Sequence, residues 1–338
     1  MILDHCFPIT SGMRDDPLLG FTRYQAGLGD LAVNLFFFIS GFLITASWLN
    51  CRTMDDYMRR RILRICPGFI AAVIFSFLVA TVFSFHPFSN IFQHLQKLDG
   101  AFVFMVSGLN DNWIFPGNPL SGMANASLWT ISWEFICYLI VASLGVFGLF
   151  KRRVLILGIF ILILGVYIGA ILNEFLILNS GCRFFGYFLA GTCAWLWRDK
   201  IILKNIFALL AIFMTLFTAQ FPPYFNALMP LTCCYLVLWA GFAFHMKFMV
   251  WCDKTDLSYG VYLFAFPIQQ ILAYYGIRNP WLMFALATPI VLGIAFFSWN
   301  YLEKPFLKLK SKDFQDHDPV GRIDSKQSMS TNTSKVSW

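Results

Sequence analysis

Few side chains in this sequence have both the type and the setting to do chemistry. His5 stands near the end of a short apolar stretch, MILDHCFPIT, where a neutral imidazole can take up a proton close to neutral pH. The plainer account is an ordinary polar residue at a helix end. Glu134, in SLWTISWEFICY, lies about seven residues inside an apolar run, roughly 10 Å deep at ~1.5 Å per residue. An ionisable group at that depth in a bilayer is costly. It is therefore either functional or half of a structural ion pair, for which Arg183, entering its own apolar run from the same side, is the partner to expect. Arg60, Arg61 and Arg64 stand at the mouth of another run. Arg61 and Arg64 are spaced i, i+3 and share one helix face, and guanidinium groups suit bidentate recognition of phosphate. A signal for membrane orientation explains the same arginines more simply, and it suffices for Arg52 and Arg59. Glu303, followed by Lys304 and Pro305, closes the last apolar run and can pair with the arginine face. Ser40-Gly41, in the middle of a run, allow either close helix approach or passage of a narrow ligand. His86, His94, His245 and His317 fall in connections, at a helix end or in the tail and suggest less.

The elements that must position these residues follow from composition. Of 338 residues, 58% are hydrophobic, 18% aromatic and only 13% charged. A soluble domain carries about a quarter charged residues, so the solvent for this chain is a bilayer. The net charge of +7 sits in loops between apolar runs and in the C-terminal tail, which argues against a nucleic-acid partner. Nine cysteines are scattered without C-x-x-C spacing, and Cys233 and Cys234 are adjacent. They read as small buried side chains rather than as a metal site or a disulfide framework, and no metal is expected.

Apolar runs of spanning length occur at about 31–50, 66–85, 127–149, 153–172, 181–197, 203–221, 226–246, 257–276 and 281–302. Residues 1–9 look like the end of a further span. The expected architecture is an all-α polytopic membrane protein of about ten transmembrane helices, the first truncated. Segment 88–126 is a long connection with Asn110-Asp-Asn-Trp and Pro116-Gly-Asn-Pro turn signals. The Asn125-Ala-Ser127 triplet fits a glycosylation sequon, which chance supplies often. Residues 311–338 read as a disordered tail. If the runs alternate across the membrane, twenty of the 25 Lys and Arg residues fall on one side and five on the other. The positive-inside rule then puts residues 50–64 and the C-terminus in the cytoplasm, and residues 9–30 and 86–126 outside. The expected location is the inner (plasma) membrane.

With these residues assembled, the chain resembles the membrane acyltransferase-3 family, whose members O-acylate lipopolysaccharide O-antigens, exopolysaccharides and related glycans. The landmarks match in order. They are His5 with Phe7-Pro8, Phe36-Phe-Phe-Ile-Ser-Gly-Phe-Leu-Ile, Arg61-Ile-Leu-Arg64-Ile-Cys-Pro67 and Ser127-Leu-Trp-Thr-Ile-Ser-Trp-Glu134. Later come Arg183-Phe-Phe-Gly-Tyr-Phe-Leu-Ala-Gly191, Ser258-Tyr-Gly-Val-Tyr-Leu and Glu303-Lys-Pro305. The resemblance implies one acyltransferase domain over residues 1–310. It also implies that His5 is the catalytic histidine, that Arg61 and Arg64, with Arg60 beside them, serve the acyl-CoA side, and that Glu134, Arg183 and Glu303 are supporting polar positions. The chain departs from the family's pattern at Asn34, where Asp is frequent, and at Ala265, where His is frequent. The family's arginine upstream of the histidine has no counterpart.

The expected activity is transfer of an acyl group, acetyl first, from cytosolic acyl-CoA to a hydroxyl of a cell-surface glycan or its lipid-linked precursor. His5 would act as base, Glu134 would orient it or help hold the site together, and the arginine face would hold the phosphates of coenzyme A. Two other readings stay open: a transporter of lipid or polysaccharide precursors, and a truncated inactive paralogue.

Overall fold

The computed structural model describes residues 1–84, 114–172, 176–222, 224–243 and 255–309. Among them are eleven α-helices and no strand: α1 (Ile2–Ser11), α2 (Pro17–Phe21), α3 (Leu28–Leu49), α4 (Met54–Val82), α5 (Trp129–Val146), α6 (Arg153–Leu172), α7 (Leu176–Leu196), α8 (Asn205–Ala219), α9 (Tyr224–Ala243), α10 (Ser258–Tyr274) and α11 (Pro280–Ser298). The nine expected runs correspond to α3 through α11, and the short N-terminal stretch is α1. Six described segments are long and apolar enough to cross a membrane: Leu28–Leu49, Met54–Val82, Ala126–Val146, Arg153–Ile171, Tyr224–Phe242 and Pro280–Leu309. The protein is an all-α polytopic membrane protein. His86, His94, His245, His317, Cys252, most of the 88–126 connection and the tail from 311 lie outside the described residues.

One expectation needs correction. The arginines do not stand in a connection ahead of the second run but inside its helix, because α4 starts at Met54 rather than near residue 66, and the turn is only 50–53. Thr53 caps the helix by accepting from the Asp56 N–H at 3.1 Å. Asp55 and Asp56 place negative charge at its N-terminus, and Asp56 receives Arg60 one turn on at 2.8 Å. Low hydropathy hid this first stretch, although Met, Arg and Leu form helix well.

Packing in the bundle reverses the soluble pattern. On α4, Ile70, Ile74 and Leu78 are exposed at one-turn spacing, while Ala72, Ser76 and Ala80 face inward. Large apolar side chains outside and small ones inside are what a hydrocarbon solvent favours. Among the described residues, the helix backbones come closest between α3 and α7. A Cβ on Gly41 would overlap the Phe188 carbonyl oxygen, and one on Gly191 would overlap that of Phe38. Of the two readings of Ser40-Gly41, the glycine therefore serves close approach.

The bundle has two ends. The basic end holds the 50–53 turn, the start of α6 and residues 198–204. The distal end holds residues 12–27, 114–125 and 275–279. There α1 packs against α10 and α11. Asp4 Oδ1 accepts the Gly29 N–H at 2.8 Å, an anion at the free N–H groups that open α3.

Candidate active site

Ser127, Thr130, Glu134 and Tyr138 recur at three- and four-residue spacing and so share one face of the α5 segment. All four are buried. The Tyr138 hydroxyl donates to Glu134, and Ser40 of α3 touches the same hydroxyl. Nearer the distal end, Thr130 and Tyr262 of α10 share a hydrogen bond, and Tyr262 also donates to the Ser127 carbonyl at 2.8 Å. A polar stripe thus runs through an otherwise apolar bundle.

At the basic end the three arginines have different surroundings. Arg60 is ion-paired to Asp56. Arg64 meets Asp256 at 2.5 Å and Glu303 at 3.4 Å, with the rings of Tyr259 and Trp299 at 5.5 and 5.9 Å. The expected pairing of Glu303 with the arginine face is therefore present. Glu303 closes a π turn, Trp299–Glu303, that continues α11, and it also accepts from Ser298 Oγ at 3.0 Å. Arg61 faces the other way. Its guanidinium lies between the rings of Tyr138 and Tyr57, at 5.7 and 5.8 Å, and Nη2 donates to Ser47 at 3.0 Å. Among the described residues it pairs with no carboxylate, and its buried Nε has no acceptor. The i, i+3 spacing puts two arginines in reach of the bundle interior but gives them different partners.

His5 is the counterpart toward the distal end. Its neighbours in sequence are fixed: Asp4 by Gly29, and Cys6 and the Ile2 carbonyl by Gln269 Nε2, at 3.0 and 2.7 Å. The imidazole meets Phe266 edge-on at 5.1 Å, and its buried Nδ1 has no hydrogen-bond partner. The backbone is held while the ring keeps its hydrogen-bonding capacity.

Two expected contacts are absent. Glu134 does not hold His5, because the two sit at different levels. Thr130 and Tyr262 are level with one another on antiparallel helices. Glu134 is one turn beyond Thr130 toward the basic end, and Phe266, which touches His5, is one turn beyond Tyr262 toward the distal end. Glu134 and Phe266 are therefore about 11 Å apart along the axis. Nor does Glu134 pair with Arg183. Arg183 binds Asp30 at 2.8 Å, and Asp30 also receives Arg14 at 3.2 Å and the Gly27 N–H at 3.1 Å. Arg183 thus ties α7 to the first turn of α3. Asn34 lies one turn further along α3, buried, with its carbonyl oxygen unpartnered.

Sequence reasoning missed Asp30, Tyr138, Gln269 and Gln270. The signals were a carboxylate three residues after Gly27, a tyrosine four after Glu134, and two adjacent amides inside an apolar run. Gln270 receives Asn118 Nδ2 at 2.8 Å and donates to the Leu120 and Met123 carbonyls at 2.8 and 2.9 Å, clamping the distal loop to α10. Asn125 is no glycosylation site, being fully buried and bonded to Ser76 and the Leu263 carbonyl.

Two known proteins are similar to this chain over most of its length. The O-acetyl transferase of Shigella phage Sf6 is 25% identical over 326 residues, covering 92% of this chain and 93% of the phage protein. Nodulation protein 10 of Rhizobium leguminosarum bv. viciae is 25% identical over 320 residues, covering 88% of this chain and 87% of that one. No solved structure matches. The sequence profile of the acyltransferase domain, acyltransferase-3, matches residues 1–300. The chain therefore belongs to the acyltransferase-3 family and is a multi-pass membrane acyltransferase.

Proposed function

We propose that this chain moves an acetyl group from cytosolic acetyl-CoA to a hydroxyl of a surface glycan or its lipid-linked precursor, in the inner (plasma) membrane and with its C-terminus cytoplasmic. The observation that carries this reading is the polar stripe from Arg61 through Tyr138, Glu134, Thr130 and Tyr262 toward His5. Among the described residues it offers a guanidinium with no carboxylate partner and an unspent Nε at one end, and an imidazole with an unspent Nδ1 toward the other. The name of the phage relative supports acetyl as the group and oxygen as its acceptor. The excess of Lys and Arg at the basic end supports a cytoplasmic face there.

In this reaction Arg61 would take a phosphate of the acyl-CoA, since its Nε is unspent while Arg60 and Arg64 already hold carboxylates. The thioester arm would follow the stripe past Ser40 toward the histidine. His5 would take the proton of the acceptor hydroxyl as its oxygen attacks the thioester carbon. The carbon–sulfur bond would then break, and the thiolate of coenzyme A would leave and be protonated. Proton transfer of this kind is worth about 10²–10⁴-fold. Glu134, at the arginine level, would shape the donor's path rather than orient the imidazole.

The test is His5→Ala in membranes supplied with radiolabelled acetyl-CoA and glycan acceptor. Ester-linked acetate on the glycan should fall by about 10²–10⁴-fold with membrane protein levels unchanged. Retained acetylation would overturn the role of His5, and movement of the glycan without consumption of acetyl-CoA would overturn the reaction.

A further inference from the structure

Away from the polar stripe, a cavity of about 350 Å³ opens among α3, α6, α7 and α9, a size suited to ligand binding. Phe38, Phe160, Ala190, Ala194, Leu231 and Leu238 line it, and Trp197 lines its basic end. Two features of that end go beyond an apolar lining. The first is an unspent donor: the Trp197 indole N–H is buried and has no acceptor. Such a group in an apolar wall calls for a partner. The Tyr235 hydroxyl, also at the cavity, is already committed. It accepts from the Lys204 N–H at 3.1 Å and donates to the Ile202 carbonyl at 3.0 Å, fixing residues 202–204 beside the opening.

The second feature is charge. The Lys200 ammonium stands 4.9 Å from the centre of the Trp197 ring. Lys204 is exposed on the segment that Tyr235 anchors. Arg153 lies one turn before Leu157, a lining residue, on the same face of α6. The nearby carboxylate, Asp199, lies 3.8 Å from Arg198. An apolar cleft with a cationic lip and an unpaired indole donor complements a molecule with a hydrocarbon chain and an anionic, oxygen-rich head.

We infer that this cleft binds an anionic phospholipid from the leaflet at the basic end, with one acyl chain between α7 and α9 and its phosphate beside Trp197, Lys200 and Lys204. Hydrocarbon alone would admit any lipid, and the cationic lip is what selects a net negative headgroup. The site shares none of the stripe's residues, so the inference stands apart from the acyl-transfer reading.

The experiment uses the purified full chain in detergent and a phosphatidylglycerol carrying a photoactivatable acyl chain, with attachment sites mapped by mass spectrometry. Label should fall on 190–197 and 231–238. Unlabelled phosphatidylglycerol should compete about tenfold better than phosphatidylcholine, and Lys200→Glu with Lys204→Glu should cut labelling by about tenfold. These lysines are exposed, so a melting temperature like the parent's will show that the variant folds. Trp197→Phe, which keeps an aromatic ring, though a smaller one, and removes the donor, should weaken labelling less. Label elsewhere, equal competition by phosphatidylcholine, undiminished labelling of the charge variant, or crosslinks from these residues to a second copy would each overturn the assignment.

Discussion

Asn125 donates a 2.9 Å hydrogen bond to the carbonyl of Leu263, the one carbonyl in α10 that Pro267 deprives of its helical donor. The distal loop thus repairs the proline break in the helix that also carries Phe266 and Gln269, the residues against α1. Asn125→Ala would leave Leu263 without a donor and should cost about 1–3 kcal/mol, read as a lower melting temperature in detergent. Pro267→Ala restores an N–H at the fourth residue on. In the Asn125→Ala background it should therefore recover stability, and a double-mutant cycle should give a coupling of about 0.5 kcal/mol or more. Strict additivity would refute the repair.

Arg61 and Arg64 should part company under mutation. Arg64→Ala removes an ion partner of Glu303, which is 1% exposed. Because Arg64 itself is a quarter exposed, the loss should be about 2 kcal/mol, below the value for a fully buried pair. Adding Glu303→Gln should return part of it. Arg61→Ala breaks no ion pair and strands no buried carboxylate, giving up only two ring contacts and the Ser47 hydrogen bond, so it should cost less stability than Arg64→Ala, about 1 kcal/mol. It should instead raise KM for acetyl-CoA by about tenfold or more, with Arg61→Lys intermediate because an ammonium cannot form the two-pronged contact. Melting curves and the acetyl-CoA dependence of the rate separate the two. A large stability loss at Arg61 with unchanged KM would end its assignment to the donor.

How much of this was legible depended on whether a contact is local along the chain. The nine runs from α3 to α11 announce themselves because length and apolarity are properties of a segment alone. The pairing of Glu303 with an arginine could be anticipated because both charges had to lie at the same end. The partner of Arg183 could not. Depth pointed to Glu134, but the observed partner is Asp30, and that depends on which helices are side by side. The α3–α7 contact is set by Gly41 and Gly191, whose meaning appears only when each is seen against the other helix's backbone. The gap between Glu134 and His5 was hidden likewise, since it follows from the register of α5 against α10. Gln269 and Gln270 passed unnoticed because amides carry no charge, although buried amides in an apolar run also require partners.

Close approach of α3 and α7 makes Gly41 a sensitive position. A methyl group there meets the Phe188 carbonyl, which is backbone and cannot turn aside. Gly41→Ala should separate the helices and cost about 1–3 kcal/mol, the range for overpacking. The Thr45 to Thr192 hydrogen bond of 3.0 Å, one turn along the same contact, should open with it. Gly158, where an added Cβ meets nothing within 4 Å among the described residues, is the control and should tolerate alanine. Equal melting temperatures for the two variants would contradict the packing described.

Gln269 holds both the Ile2 carbonyl and the Cys6 sulfur, on either side of His5, so it acts on the imidazole through the α1 backbone. Gln269→Met keeps the length and volume and removes the donor. Because Asp4 still anchors α1 to Gly29, the helix should remain docked, with a stability loss of about 1–2 kcal/mol. The histidine would be less well placed, and small misplacement is expensive: kcat should fall by about tenfold to a hundredfold. KM for acetyl-CoA should stay as it is, since Arg61 and its surroundings lie at the other end of the stripe. A purely structural role would instead lower the amount of active protein and leave the kcat of the folded fraction unchanged. Titrating active sites before measuring kcat decides between the two.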